Sequence, residues 1–349
     1  MTQPIDPRRY LLSDEQSQRI FNTRIVPHEL ARGVPQDNPI VVLVAGQPGA
    51  GKTRTTQAVQ DRLDQRGGAV VVNSDFYKPY HPEYGRLLAE DDRNAAPYTS
   101  MDGRRWMAAA EHHLIEHRVD TIIETTMRDP GDFIEPARMF RDAGYRVEAV
   151  IMAVPEPLSR LGIIDRYHTQ VAEQGHGRLT ARENHDASYR GVLESAKAID
   201  EDRIVDSVDI YRRGGDRLYR NDLTPDGEWR EAPAAAAAIE SERARPWTSA
   251  ETQRFAADVE RVATGAGPQW RPELAGITSL AEPLASPDVP LPDLRDAASD
   301  RPPAPEVDAA ALDGIRRAAA SLHHARQEAE RHTPAPEPEE PRPDRDLDR

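Results

Sequence analysis

An unbroken apolar run, Pro39-Ile40-Val41-Val42-Leu43-Val44-Ala45, opens a repeating alternation along the chain. A run this short and this apolar suits one strand of a parallel sheet that is covered on both faces. The glycine-rich Gly46–Gly51 follows, and then a helix is predicted over about residues 52–66, stopped at Gly67-Gly68. Ala69-Val70-Val71-Val72-Asn73 reads as a second strand, Thr121-Ile122-Ile123-Glu124 as a third and Tyr145–Val154 as a fourth. Helices are predicted near 104–117 and 134–143, and again over about 157–172. Val208-Asp209-Ile210-Tyr211 and Arg217-Leu218-Tyr219 flank Gly214-Gly215 in the manner of a hairpin. Upstream, Ser13-Asp14-Glu15-Gln16 has capping-box form before a helix with Ile20, Phe21 and Ile25 on one face, which Pro27 is expected to end. Strands alternating with helices predict an α/β fold, with a doubly wound, mainly parallel sheet and helices on both faces.

The pattern changes near residue 266. Beyond residue 265 lie 14 of the 30 prolines, including Pro302-Pro303 and the cluster from Pro334 to Pro343. The expectation is a domain over 1–265 and a Pro/Ala/Glu-rich, partly disordered tail over 266–349, with one helix in it at 309–331. Composition agrees: 38% hydrophobic and 5% aromatic residues are too few for the whole chain to pack. A formal charge of −15 argues against nucleic acid or an anionic membrane as a partner. With no cysteine there are no disulfides and no thiolate metal sites. The first residues lack the basic and apolar regions of a signal peptide, and no stretch approaches the ~20 apolar residues of a membrane span. A cytoplasmic location is therefore expected.

Gly46-Gln47-Pro48-Gly49-Ala50-Gly51-Lys52-Thr53 fits G-x-x-x-x-G-K-[ST] completely, after a strand and before a helix. In this pattern glycines let backbone N–H groups turn toward phosphate oxygens, and the helix N-terminus adds its positive end. Lys52 is expected to reach the β- and γ-phosphates and the Thr53 hydroxyl to ligate Mg²⁺. Lysine occurs only three times among 45 basic residues, at Lys52, Lys78 and Lys197. Lys78 and Lys197 are followed two residues on by Tyr80 and Ile199 and Lys52 belongs to the P-loop, so the Asn-Lys-x-Asp signal for guanine is absent and ATP, or an unselective nucleotide site, is expected.

Ligands of such sheets lie beyond the carboxyl ends of the strands. Asn73-Ser74-Asp75 ends the second strand, Glu124-Thr125-Thr126-Met127-Arg128 the third, and Arg160, Arg166 and Arg178 follow the fourth. Asp75 suits a general base for an attacking hydroxyl; capping the next helix, or holding Mg²⁺ through water, is the alternative. Glu124 suits a group that binds substrate hydroxyls or a metal-bound water, or else a plain solvated strand end. An arginine that balances charge on the transferred phosphoryl is worth roughly 10³–10⁵ in rate.

Several linked stretches make the chain similar to the zeta toxins of bacterial epsilon/zeta toxin–antitoxin systems. They are the P-loop just quoted, Asn73-Ser74-Asp75-Phe76-Tyr77-Lys78 with His81-Pro82, Ile123-Glu124-Thr125-Thr126-Met127-Arg128, Met152-Ala153-Val154-Pro155, Arg166-Tyr167, Arg178-Leu179-Thr180 and His185-Asp186. The resemblance implies a P-loop kinase that phosphorylates UDP-N-acetylglucosamine on the 3′-hydroxyl of its sugar and is restrained by a small helical antitoxin. It implies that Lys52 and Thr53 hold ATP and Mg²⁺, that Asp75 is the base, and that Arg166 and Arg178 contact the phosphates. Glu124, Thr126 and Arg128 then bind the acceptor, here a UDP-activated sugar. A further sugar-binding glutamate of the family finds only Glu111 in the matching segment, and Thr125 stands where the family usually has glycine. Both departures touch the acceptor side, which leaves a P-loop kinase for another hydroxyl, or a non-catalytic ATP-dependent binding protein, as alternatives. His185 is expected to be structural, and Phe76, Tyr77 and Tyr80 either line the acceptor pocket or pack in the core.

Overall fold

A computed structural model of the chain describes residues 8–90 and 95–294. Six strands, β1 (Ile40–Ala45), β2 (Val70–Val72), β3 (Thr121–Thr125), β4 (Arg146–Ala153), β5 (Ser207–Arg212) and β6 (Arg217–Asp222), form one sheet in the order β2-β3-β1-β4-β5-β6. The first five are parallel, and β6 runs antiparallel to β5 across the expected Gly214-Gly215 hairpin. This is the doubly wound sheet that the alternation predicts. Because β2 and β3 lie on one side of β1 and β4 on the other, the chain reverses direction across the sheet beside β1. The carboxyl end of β1 is therefore the switch point at which such sheets hold ligands.

Alternation along β1 sorts its side chains between two cores. Val41, Leu43 and Ala45 join a large cluster with Trp106, Leu114, Phe133, Phe140 and Val192, whereas Ile40, Val42 and Val44 join Val59 and Leu63. Those last two belong to α2 (Lys52–Asp64), so α2 alone closes one face there. The other face is covered by α5 (Ala95–Glu116), α6 (Gly131–Asp142) and α8 (Arg182–Asp202), with α9 (Ala235–Ala244) beside them. Two short helices, α3 (Ser74–Tyr77) and α4 (Tyr84–Glu90), lead from β2 into α5, and α7 (Glu156–Gln174) follows β4.

Two expectations are corrected, and one long helix was not foreseen. The capping box at Ser13 starts α1 (Asp14–Ile20) as read, but Pro27 does not end the helix. The chain continues through Leu30 as a π-helix, whose wider turn accommodates a ring that an α-helix excludes. The helix α8, one of the longest, had no counterpart in the sequence reading. The tail does not begin at 266: α10 (Ser249–Ala266) is followed by α11 (Arg271–Ala281), whose Leu274 and Ile277 pack with Leu161 and Ile164 of α7 and Phe255 and Val259 of α10. Leu284, Leu291 and Leu294 extend that cluster. The helix expected at 309–331 and the Pro334–Pro343 cluster lie outside the described residues. No helix among the described residues is long and apolar enough to cross a membrane.

Candidate phosphoryl-transfer site

The loop from Gly46 to Gly51 leaves β1 at the switch point and is held from behind. Gln47 is fully buried, and its Nε2 donates to the carbonyl of Val154 at the end of β4 (2.8 Å). Ala50 is buried against Met152 and Val154, and Pro48 is buried as well. Gln47, Pro48 and Ala50 therefore contribute backbone to the cradle while their side chains anchor it. Gly49 has φ +77°, and a Cβ there would stand 1.9 Å from the carbonyl oxygen of Ser159 in α7. Gly162, one turn further along the same helix, also meets the loop, and a Cβ there would lie 2.7 Å from the Gly49 oxygen. Only glycine admits the backbone to this wedge.

Lys52 begins α2 and folds back over the loop, its Nζ donating to the Gly46 carbonyl (2.6 Å). Burial pushes its ammonium down to about 8; Glu124 and Asp75 oppose this, while Arg166 and Arg178 add to it. Those four groups thus share one field with Lys52 although β3 and the segments after β2 and β4 supply them separately. Thr53 is exposed and its hydroxyl makes no hydrogen bond among the described residues.

Asp75 sits in the one-turn helix α3, which Asn73 caps by accepting from the Asp75 N–H (2.9 Å). Lys78, one turn on, donates to Asp75 Oδ1 (2.7 Å), and Arg178 pairs with Oδ2. Burial by itself raises this carboxyl, but Arg178 and Lys78 more than offset it and hold Asp75 well below the usual carboxylate range. Arg166 donates to Thr180 Oγ1 (3.1 Å), and its Nε is buried without a partner. Burial first, and Arg178 beside it, bring its guanidinium down to about 10 against the pull of Asp75. Glu124 is held in place by two donors, Thr56 Oγ1 on Oε1 and Asn73 Nδ2 on Oε2 (2.6 Å).

The sequence reading thus brought together Lys52, Asp75, Glu124, Arg166 and Arg178, and the structure groups them. Thr126 and Arg128 are exposed on the loop after β3, with Arg128 Nη1 reaching Asn184 Oδ1 at 3.4 Å. That loop is shaped by Met127, buried at φ +50°, and by Gly191 of α8, where a Cβ would stand 1.9 Å from the Met127 oxygen. Glu111 is set apart from the group. It is 5% exposed in α5, faces the field of Tyr77, and burial raises its carboxyl to about 8. Of the aromatic trio, Tyr77 is core, Tyr80 bonds Glu29, and Phe76 is 47% exposed beside Asp75. Missed from sequence were the roles of Lys78, Asn73 and Thr56. The scarcity of lysine was the one available pointer to Lys78.

A family model described as zeta toxin matches residues 28–224. Toxin zeta of Enterococcus hirae is 26% identical over 272 residues, covering 77% of this chain and 92% of that protein. Toxin PezT of Streptococcus pneumoniae serotype 4 is 26% identical over 182 residues, covering 52% of this chain and 71% of that protein. A solved structure from the PezAT chromosomal toxin–antitoxin system of Streptococcus pneumoniae superposes with TM-score 0.61 at 20% identity, over 72% of this chain and 98% of that one. The family match spans more than half of the sequence and contains every converging group from Lys52 to Arg178, and the chain belongs to the zeta toxin family.

Proposed function

We propose that the protein transfers the γ-phosphoryl group of ATP to the 3′-hydroxyl of the sugar in UDP-N-acetylglucosamine, and that it is held in check by a small helical antitoxin. The observation that carries the reading is the meeting of an ionised carboxylate, Asp75, with the P-loop ammonium, Lys52, and two arginines at the switch point of a parallel sheet. The acceptor oxygen attacks phosphorus as the bond to the ADP oxygen breaks, and the hydroxyl proton passes to Asp75. Arg178 pairs with Asp75 Oδ2, so the proposed proton transfer requires that guanidinium to turn toward the phosphates and release the oxygen. Arg166, with an unpartnered Nε, is the second cation for the equatorial oxygens.

The residues present fit Mg²⁺. No group of three His, Asp or Glu among the described residues forms a cation cage, while Thr53 presents an uncommitted hydroxyl next to the cradle. Such an ion is typically held by nucleotide phosphates and one or two protein oxygens, with water completing its shell. When bound it neutralises charge developing between the β- and γ-phosphates.

A second reading, the same transfer to a different hydroxyl, is favoured by Glu111 lying in the interior. Acceptor recognition then falls to Glu124, Thr126 and Arg128. The test is incubation with ATP and Mg²⁺ and, in parallel, UDP-N-acetylglucosamine, NAD, nucleosides and DNA ends. A phosphorylated sugar nucleotide formed one for one with ADP, and absent in Lys52→Ala and Asp75→Ala, is expected. Transfer only to another acceptor establishes the second reading, and tight ATP binding with no transfer to any acceptor refutes both.

A further inference from the structure

Behind the P-loop lies a Ser–His–Asp chain, its serine and histidine buried, that the proposed transfer does not use. His185 Nε2 is 2.9 Å from Ser159 Oγ, and His185 Nδ1 is 3.0 Å from Asp186 Oδ1. Asp186 Oδ1 also accepts from Arg160 Nη2 (2.8 Å), whose Nε donates to Glu156 Oε1 (2.7 Å). The Glu156 carbonyl, 3.0 Å from Ser159 Oγ, is a competing acceptor for the single hydroxyl proton. Burial lowers the imidazole pKa, and Nδ1 faces a carboxylate, so the neutral ring donates from Nδ1 and accepts at Nε2. The ring is stacked on Tyr189 from its own helix.

These are the residue types and order of contacts of a hydrolase triad, but the geometry denies that role. Ser159 is 0% exposed and His185 1% exposed, so no acyl or phosphoryl group can reach the hydroxyl. What the circuit does is mechanical. It ties the first turn of α7 to the first turn of α8, and these two turns bracket the segment that carries both transfer arginines, Arg166 and Arg178. The carbonyl of the same Ser159 is the surface against which Gly49 of the P-loop rests. One network therefore joins the two turns that flank the arginine-bearing segment, at the point where the P-loop packs on α7.

We infer that His185 is a positioning residue that, through Ser159 and Asp186, holds Arg166 and Arg178 where the γ-phosphate will lie. This rests on the kinase reading but not on the identity of the acceptor. Removing the imidazole leaves the P-loop backbone contacts to the α- and β-phosphates in place and loosens only the γ-phosphate partners.

The test compares affinities for ADP and for a non-hydrolysable ATP analogue, each with Mg²⁺, in the full chain, with melting temperature recorded alongside. His185→Ala is expected to reduce the preference for the triphosphate by on the order of tenfold while ADP affinity stays within a factor of about three; in turnover, kcat falls roughly 10²-fold, the loss expected of a group displaced by about 1 Å. His185→Gln, whose Oε1 can still accept from Ser159, recovers part of both. Ser159→Ala, a smaller change less able to unfold the chain, reproduces the loss in part. A His185→Ala protein that melts lower yet keeps the wild-type triphosphate preference overturns the inference and leaves the kinase reading standing. A wild-type protein that binds neither nucleotide overturns both.

Discussion

Lys78→Met tests most directly whether Asp75 takes the acceptor's proton. Both oxygens of Asp75 face cations, Oδ2 Arg178 and Oδ1 Lys78 at 2.7 Å. Once Arg178 turns to the phosphates, Lys78 alone opposes burial, which on its own raises the carboxyl. An opposite charge within about 4–6 Å lowers a carboxyl pKa by roughly 1–3. Removing it changes the proton concentration needed to titrate Asp75 by about tenfold to a thousandfold, or ~1.4–4 kcal/mol. The sign follows from the raised pKa: at a given acid pH the variant holds more of Asp75 protonated, so activity is lost at a higher pH than in the wild type. Stability changes less than activity, because burial also disfavours the Lys78 ammonium and methionine of similar length removes that cost together with the charge. The assay is kcat/KM for the acceptor at saturating ATP from about pH 4.5 to 9, where the limbs of the profile report groups in the nucleotide-loaded enzyme. The variant's acid limb is expected to rise above the ordinary carboxylate range, while Lys78→Arg keeps it low. Superimposable wild-type and Lys78→Met profiles refute the reasoning, since Asp75 would then not be the group whose proton is being counted.

Gly49→Ala forces a Cβ to within 1.9 Å of the Ser159 oxygen at φ +77°, and is expected to cost roughly 1–3 kcal/mol and most of the ADP affinity, read by melting and titration. Glu111→Gln removes a carboxyl whose folded pKa is raised to about 8. The wild type binds that proton when folded and releases it on unfolding, so its stability falls as pH rises from about 5 to 8, by roughly 3 kcal/mol, and the variant should not show this loss in urea melts. Leu274→Ala, beyond the boundary that composition suggested, is expected to cost roughly 2–5 kcal/mol because the side chain is fully buried against α7 and α10; an unchanged melting temperature would return residues 267–294 to the tail.

The parts legible in the sequence were those whose chemistry forces a local pattern. The P-loop needs a strand before it and a helix after it, and both carry strong apolar signatures, so Lys52 could be placed without a structure. Asp75 and Glu124 followed because strand ends in a doubly wound sheet converge. Lys78 did not, since its role depends on a helix of a single turn that brings residues three apart onto one face. The α8 helix escaped because its buried face includes His185, Ser188, Gly191 and Ser195, which give hydropathy little to detect. Gly191 is there to let the Met127 backbone approach, and His185 belongs to the clasp. The misplaced tail has a similar origin. Pro268 and Pro272 are two of the 14 prolines that suggested a tail, yet each lies in the first turn of a helix, where the missing N–H has no partner to lose.

Charge arithmetic at the site explains why so acidic a chain concentrates its cations there. Lys52, Lys78, Arg166 and Arg178 face two carboxylates, Asp75 and Glu124. Four cations against two anions, packed out of water, are mutually destabilising, and the pKa values of Lys52, Lys78 and Arg166 are all lowered with burial as the largest cause. Elsewhere in the described residues Arg62, Arg66, Arg160 and Arg245 each meet a carboxylate within 3.0 Å. A protein with a formal charge of −15 has carboxylates to spare, so the deficit at the site is not one of supply. Under the proposed function the remaining negative charge is that of the ATP phosphates. Lysine at positions 52 and 78 suits that use, because burial lowers the pKa of both ammonium groups, Lys52 to about 8, and an anion beside them offsets that cost.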